Sequence, residues 1–382
     1  MLRSHFAIVC FLALAWFASP VLAACPKGEI VAKTGCVKFA AAKQEIEGIV
    51  RGAMETHKLK AMLVGVTAGG ETVMREAWGE SMTGVPATPD MHFRNGAVAI
   101  AYIGTVLLQL QDQKVLSVED KLSKWFPGYP KASEITLAML ISGTSGYADY
   151  VTDDGFVKRL YADPFQHWTP DELIKIAFAR PMPCDPGECW SYAHTNFVIL
   201  GQVIERATGK PFADVIRANI LEPLALKDTR SEETAILQEP VLHSFDDERG
   251  TYEESTYWDP SWTLAKGAVQ TSNIADILAS ARAVGLGTLL SPESHKLQLA
   301  PGTAKFHPWN EKMYYGFGVF VINDWIVQNP SFAGYAATMT YLPSEDLAIA
   351  VSVTVKEGAP AGNLSTAVMK EIAAYLVPDK PL

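Results

Sequence analysis

Positive charge is in deficit in this sequence: 32 Lys and Arg face 42 Asp and Glu over 382 residues, a formal charge of −10. A nucleic-acid binder needs a basic face to meet phosphate, so that class is excluded. Cysteine is scarce, five residues in all. None sits at zinc spacing beside histidines, so neither a metal nor a cofactor is expected. Glycine and proline, 28 and 23 residues, stay near average usage, which excludes collagen-like and low-complexity chains. There is no internal repeat and no Pro-, Gly- or Ser-rich linker. No Gly-x-Ser-x-Gly elbow, His-Glu-x-x-His pair or phosphate loop occurs. Long apolar runs are absent except at the very start, which excludes a multispanning membrane protein.

What is present is a large apolar share, 48% of residues against 19% charged. That is enough for one large core or two modest ones and excludes intrinsic disorder. The single apolar run, Phe6 to Phe17, follows Arg3 and His5 and ends in the small residues Val21-Leu22-Ala23. Basic start, apolar centre and small exit make residues 1–23 a secretory signal, since the run is short for a span that needs about 20 residues. Removing it discards Arg3 and no acid, leaving 31 basic against 42 acidic residues, a charge of −11. A secreted or periplasmic protein is expected. Cys10 leaves with the signal, and the remaining four form two close pairs, Cys25 with Cys36 and Cys184 with Cys189, read as disulfides. One alternative stands beside this: Leu22-Ala23-Ala24-Cys25 resembles a lipoprotein signal, which would anchor the chain to a membrane through lipid on Cys25.

Hydrophobic periodicity predicts a helix over residues 40–58, then strands Ala61–Thr67 and Thr72–Trp78 around the turn Ala68-Gly69-Gly70. A long helical stretch follows. Ala97–Gln111 is apolar nearly all round, as a buried helix is. Ser117-Val118-Glu119-Asp120 and Thr169-Pro170-Asp171-Glu172 read as helix starts, and Phe197–Thr208 and Phe212–Leu221 as helices. Strands return at Tyr315–Ile322, Ala336–Leu342 and Leu347–Val355, and a helix closes the chain at about 365–377. The glycine pairs Gly316-Phe317-Gly318 and Gly285-Leu286-Gly287 read as strand and turn glycines. The fold class is therefore α/β (α+β): an antiparallel sheet flanked by helices, plus a large mainly helical lobe. First and last strands share the sheet, giving a sheet lobe of about 40–92 and 300–382, a helical lobe of about 93–299, and a ligand cleft between them.

Several segments carry a resemblance: Phe93-Arg94 before the buried helix, Asp120 through Pro127, and Ile135-Thr136-Leu137 leading to Thr144-Ser145-Gly146. Tyr192 before Leu200-Gly201, Glu205 through Gly209, and Gly334-Tyr335 before Tyr341-Leu342-Pro343 continue the order. Together, from about residue 40 to 377, the chain resembles the penicillin-recognising serine hydrolases: class C β-lactamases, DD-carboxypeptidases and related esterases. The resemblance implies three motifs. A Ser-x-x-Lys turn supplies nucleophile and amine on one helix face, a Tyr-x-Asn motif supplies a second base, and a Lys/His-Thr-Gly strand holds the substrate carboxylate.

All three have changed. The first reads Ala97-Val98-Ala99-Ile100, so a methyl stands at the nucleophile position and an isoleucine at the amine. The second reads Tyr192-Ala193-His194, with His194 in place of Asn. The third is missing from Trp325–Ala333, where Pro330 is expected to end a strand. Ser145, in Gly143-Thr144-Ser145-Gly146, reads as a turn hydroxyl that satisfies backbone rather than a substitute nucleophile, and Ser191 is a weaker candidate still. The cleft expected from the resemblance gathers Ala97, Ile100, Ser145, Tyr192, His194 and Tyr335. Two functions follow as expectations. One is an inactive homologue that keeps the cleft and binds a peptide, a peptidoglycan-like fragment or another small molecule. The alternative is a hydrolase of esters, amides or D-amino peptides rewired onto Tyr192 and His194. Residues 245–259, with six acids among Phe245, Tyr252, Tyr257 and Trp258, read as a solvated loop, or as an acidic aromatic rim of the cleft.

Overall fold

The computed structural model describes residues 25–231 and 234–382; the expected signal at 1–23 lies outside them. A nine-stranded antiparallel sheet runs in the order Met313–Tyr315, Phe320–Ile322, Trp325–Gln328, Tyr335–Leu342, Leu347–Val355, Leu59–Ala68, Glu71–Met82, Val85–Pro86, with Ser331–Phe332 beside Tyr335. Its central pair joins the two ends of the chain: Leu347–Val355 lies on Leu59–Ala68, with Val351 opposite Val64. Successive side chains of a strand face opposite sides, and here both sides are covered. Met62, Val64 and Val66 pack with Ile46, Val50, Val368 and Ile372 of the helices Phe39–Thr56 and Leu364–Leu376. Ala61 and Leu63 face the helical block. That double coverage is why residues 61–66 read as an unbroken apolar run rather than an alternating one.

The helix Ile274–Leu286 lies within the stretch expected to form the helical lobe, yet it rests directly on the sheet. Two glycines permit the approach: a Cβ on Gly65 would come within 2.5 Å of Ile274, and one on Gly285 within 1.9 Å of the Tyr341 ring. Gly285 is thus a helix-packing glycine, not a strand or turn residue. Gly287 ends the helix in the left-handed conformation, as C-terminal glycines do.

The expected helix near residue 97 spans Val98–Asp112, and all of it but Gln109, Gln111 and Asp112 is buried. Its polar groups are satisfied inside the core: the Tyr102 hydroxyl lies 2.6 Å from Ser280 Oγ, and Thr105 donates to the Ala101 carbonyl. The hairpin Met313–Ile322 presses onto this helix. The expected strand Tyr315–Ile322 is broken at Gly316–Val319 because the turn must touch helix backbone. A Cβ on Gly318 would lie 2.5 Å from the Ile100 carbonyl, and one on Gly104 would lie 2.3 Å from that of Phe317.

Elsewhere the helix Pro170–Phe178 starts on a capping box made by Thr169 and Glu172. Ser117–Asp120 does not start a helix. Asp120 accepts the Ser117 N–H, closing a turn, and Lys121 then runs extended to bridge Thr136, leaving only the short helical turn Leu122–Lys124. The stretch 212–221 begins as the α-helix Phe212–Ile216 and widens into a π-turn over Arg217–Leu221. Both disulfides form, Cys25 to Cys36 and Cys184 to Cys189. No helix among the described residues is long and apolar enough to cross a membrane.

Gly104→Ala separates packing from propensity. Helix propensity alone would favour alanine by about 1 kcal/mol, but the clash with Phe317 backbone belongs to overpacking changes that cost about 1–3 kcal/mol. A lowered urea midpoint is expected; a raised one would show that the hairpin does not rest on the helix.

Candidate active site

Where the sheet edge, the head of the buried helix and the helical block meet, a cavity of about 300 Å³ opens. Gly96 and Ala97 form part of its floor. Ala97 stands at the helix N-cap and offers no side-chain cap. The strand Trp325–Gln328 ends at the cavity, and Gln328, Asn329, Pro330, Ser331 and Phe332 continue along its wall. Pro330 does end the strand, as the sequence indicates.

A second wall comes from the loop closed by Cys184–Cys189. This loop packs on the turn Gly143–Gly146: Gly187 N–H donates to the Thr144 carbonyl and Ser191 N–H to that of Gly143. Gly146 has φ +79°, and a Cβ there would stand 2.3 Å from the Cys184 carbonyl. The loop delivers Trp190 and Tyr192 to the cavity. His194 follows as the first residue of the helix His194–Thr208.

Asp149 organises this corner. It is buried, and its Oδ1 accepts the backbone N–H of His194 at 3.2 Å and of Val151 at 3.3 Å. A carboxylate is favourable at a helix N-terminus. Its Oδ2 lies 3.0 Å from His194 Nδ1. A carboxylate that already accepts backbone donors is an acceptor at Oδ2 as well, so Nδ1 carries the proton and Nε2 is left for the cavity. The imidazole meets the Tyr192 ring edge-on at 5.2 Å and approaches Trp262 at 6.4 Å. Burial, reinforced by Tyr315 and the Asp149 carboxylate, holds the Tyr192 phenol well above its ordinary pKa. With no cation among the described residues lowering it, the phenol keeps its proton at neutral pH.

Of the six cleft residues expected, Ala97, Tyr192 and His194 line the cavity, and Ile100, Ser145 and Tyr335 do not. Ile100 is fully buried in the helix core. Ser145 is buried too; its hydroxyl donates to Asn196 Oδ1 at 2.7 Å and accepts the Tyr147 N–H, holding turn to helix. Tyr335 donates to the Leu242 carbonyl and borders a separate hollow beside the acidic segment. Ser191 is not among the lining residues.

The acidic segment is not a rim of the cavity, and only its tip, residues 247–251, is the solvated loop expected. It folds as the hairpin Phe245–Asp246 with Glu253–Glu254. Its acids are engaged: Glu248 accepts from Tyr161, Glu254 pairs with His243, Glu253 with Arg249 and Asp259 with His167. None lines the main cavity. Sequence reasoning missed Asp149, Trp190 and Trp262. No motif marks them, although Asp149 follows the Thr144-Ser145-Gly146 turn closely and Trp190 adjoins Tyr192.

Residues 46–374 match the family model described as Beta-lactamase. The chain belongs to the beta-lactamase family. It is similar to Penicillin-binding protein 4 of Amycolatopsis lactamdurans, 29% identical over 184 residues that cover 46% of each chain. It is also similar to Esterase EstB of Burkholderia gladioli, 24% identical over 196 residues, 48% of this chain and 50% of that one. The chain thus spans about half the length of these two curated relatives. The D-stereospecific amidohydrolase from Streptomyces sp. shares the fold with a TM-score of 0.76 at 22% identity, over 90% of this chain and 99% of that one.

Two predictions follow from this geometry. In nitrogen NMR, the neutral imidazole of His194 is expected to carry its proton at Nδ1, and Asp149→Ala is expected to lose that preference and about 1–3 kcal/mol of stability. A neutral form protonated at Nε2 would contradict the assigned hydrogen bond. Separately, burial raises the Asp246 carboxyl to about 6. The folded state then holds a proton that the unfolded state has released, so this group's stabilising share is lost as pH rises from about 4 to 6. Asp246→Asn is expected to flatten that decline and to raise the melting temperature at pH 7.

Proposed function

We propose that this protein is an exported, catalytically silent member of the beta-lactamase family that binds a ligand in the retained cleft. The observation that carries this reading is the head of the buried helix. Ala97 faces the cavity and Ile100 the core, at the two positions where the family resemblance places nucleophile and amine. A methyl cannot attack a carbonyl, and the Tyr192 phenol, held protonated, has no hydroxyl to activate. In serine hydrolases, loss of a member of the catalytic unit leaves about 10³–10⁴-fold catalysis over water, from binding and oxyanion contacts. The occupant in this reading is a peptide, a peptidoglycan-like fragment or a small molecule. Export is supported by the two disulfides. The Cys25–Cys36 bond also favours a free N-terminus over lipid on Cys25, because one sulfur cannot serve both.

One observation favours a second reading. His194 with Asp149 has the form of a general base and its orienting carboxylate, facing a cavity that can admit water. Esterase and amidohydrolase activities, named for the similar proteins, would then be reached without a covalent intermediate.

Fluorescent penicillin, together with a panel of esters and D-amino amides, tests both. No covalent adduct is expected, and no turnover that depends on His194. The double variant Ala97→Ser/Ile100→Lys is expected to stay unlabelled as well, since the third motif is also absent. Turnover that His194→Gln abolishes would overturn the silent reading in favour of the second, and penicillin labelling of the double variant would show that the third motif is dispensable.

A further inference from the structure

We infer that the cleft takes an uncharged aromatic ligand bearing a hydrogen-bond donor, which it presents to His194 Nε2. The inference rests on the cleft-binding reading and narrows its occupant. Its first support is the wall chemistry. Trp190, Tyr192, Trp262, Phe320 and Phe332 all line the cavity, and they are braced into one array: Trp190 against Trp309 at 4.7 Å, Phe320 against Tyr315 at 4.7 Å, and Trp262 against Phe332 at 5.9 Å. Rings fixed by other rings offer flat apolar faces at little entropic cost, and aromatic pairs gain beyond the area they bury.

The second support is charge. Among the described residues, Arg94 and His194 are the ionisable nitrogens on the cavity wall, and no carboxylate lines it. Arg94 is engaged elsewhere: its guanidinium donates to the Ala235 carbonyl and lies over the Phe332 ring. The wall from Gln328 to Ser331 carries amides and a hydroxyl but no cation, so an anion entering there would find neutral donors but no counter-charge to offset its lost hydration. A ligand cation fares no better, because Asp149 is shielded behind the imidazole it orients.

The third support is the direction of the hydrogen bond. With Nδ1–H committed to Asp149, neutral His194 offers a lone pair at Nε2. An acceptor set among aromatic faces selects a ring with an O–H or N–H.

Calorimetric titration with three related probes tests this. They are 4-hydroxyphenylacetamide, which is neutral with donors; 4-hydroxyphenylacetate, its anion; and N,N-dimethyl-4-methoxyphenylacetamide, which has no donor. The first is expected to bind about tenfold or more tightly than either other probe, the scale of one well-made hydrogen bond or of an unpaired buried charge. Trp262→Ala is expected to weaken it at least as much, and His194→Phe to erase the gap between the donor and donor-free probes. Equal or tighter binding of the anion, or no binding of the neutral probe at millimolar concentration, would overturn the inference. Those outcomes leave the penicillin experiment untouched. Conversely, covalent labelling would defeat the silent reading while the ranking of these probes still stood or fell alone.

Discussion

Close contact between the helix Val98–Asp112 and the backbone of the hairpin Met313–Ile322 holds the cleft in place. Where Gly104 meets the Phe317 carbonyl and Gly318 meets that of Ile100, there is no room for even a methyl group. The helix is immersed in apolar side chains along nearly its whole length, so it has no alternative seat. Its first turn fixes the cavity floor, and the hairpin pressed on it fixes the sheet edge that forms the wall. Interiors packed to this density transmit displacement rather than absorb it. The geometry of the cleft is thus a property of the core, independent of whether chemistry occurs there.

That independence explains how the frame of a hydrolase can persist around a methyl. Burying an isoleucine contributes about 1.5–3 kcal/mol, whereas a lysine ammonium at the same depth must be compensated by partners. Among the described residues, the cavity wall carries no carboxylate to serve as one. Ala97 and Ile100 are therefore consistent with the stability of their surroundings. Their aromatic neighbours, crowded around Tyr192, are equally consistent with a protonated phenol.

Much of the fold is legible in the sequence because its signals are local. The capping box at Thr169 and Glu172, the apolar run of residues 98–108 and the proline that stops a strand at residue 330 each act over a few residues. The failures involve distant partners. Ser117–Asp120 has the composition of a helix start, but the pairing of Lys121 with Thr136 draws the chain out straight. Ser145 and Tyr335 are expected in the cleft, yet each hydroxyl is held by a partner far along the chain, Asn196 for one and Leu242 for the other, while Ser145 also caps its own turn as its sequence context indicates. Asp149 could not be found by spacing, since its role exists only once the Gly143–Gly146 turn sits against the Cys184–Cys189 loop. The acids of residues 245–259 looked like one charged feature and proved to be separate pairings with Tyr161, His167, His243 and Arg249.

The central sheet pair has a consequence for the order of events during synthesis. Leu59–Ala68 emerges early and waits for Leu347–Val355, its neighbour in the finished sheet, which is among the last strands made. Until then one edge of an apolar strand has no partner, and the helices Phe39–Thr56 and Ile274–Leu286 have no completed surface to cover. Contacts between such distant segments form late and slowly. A ribosome must therefore deliver nearly the entire chain before the sheet can close, and a chain held open that long remains threadable.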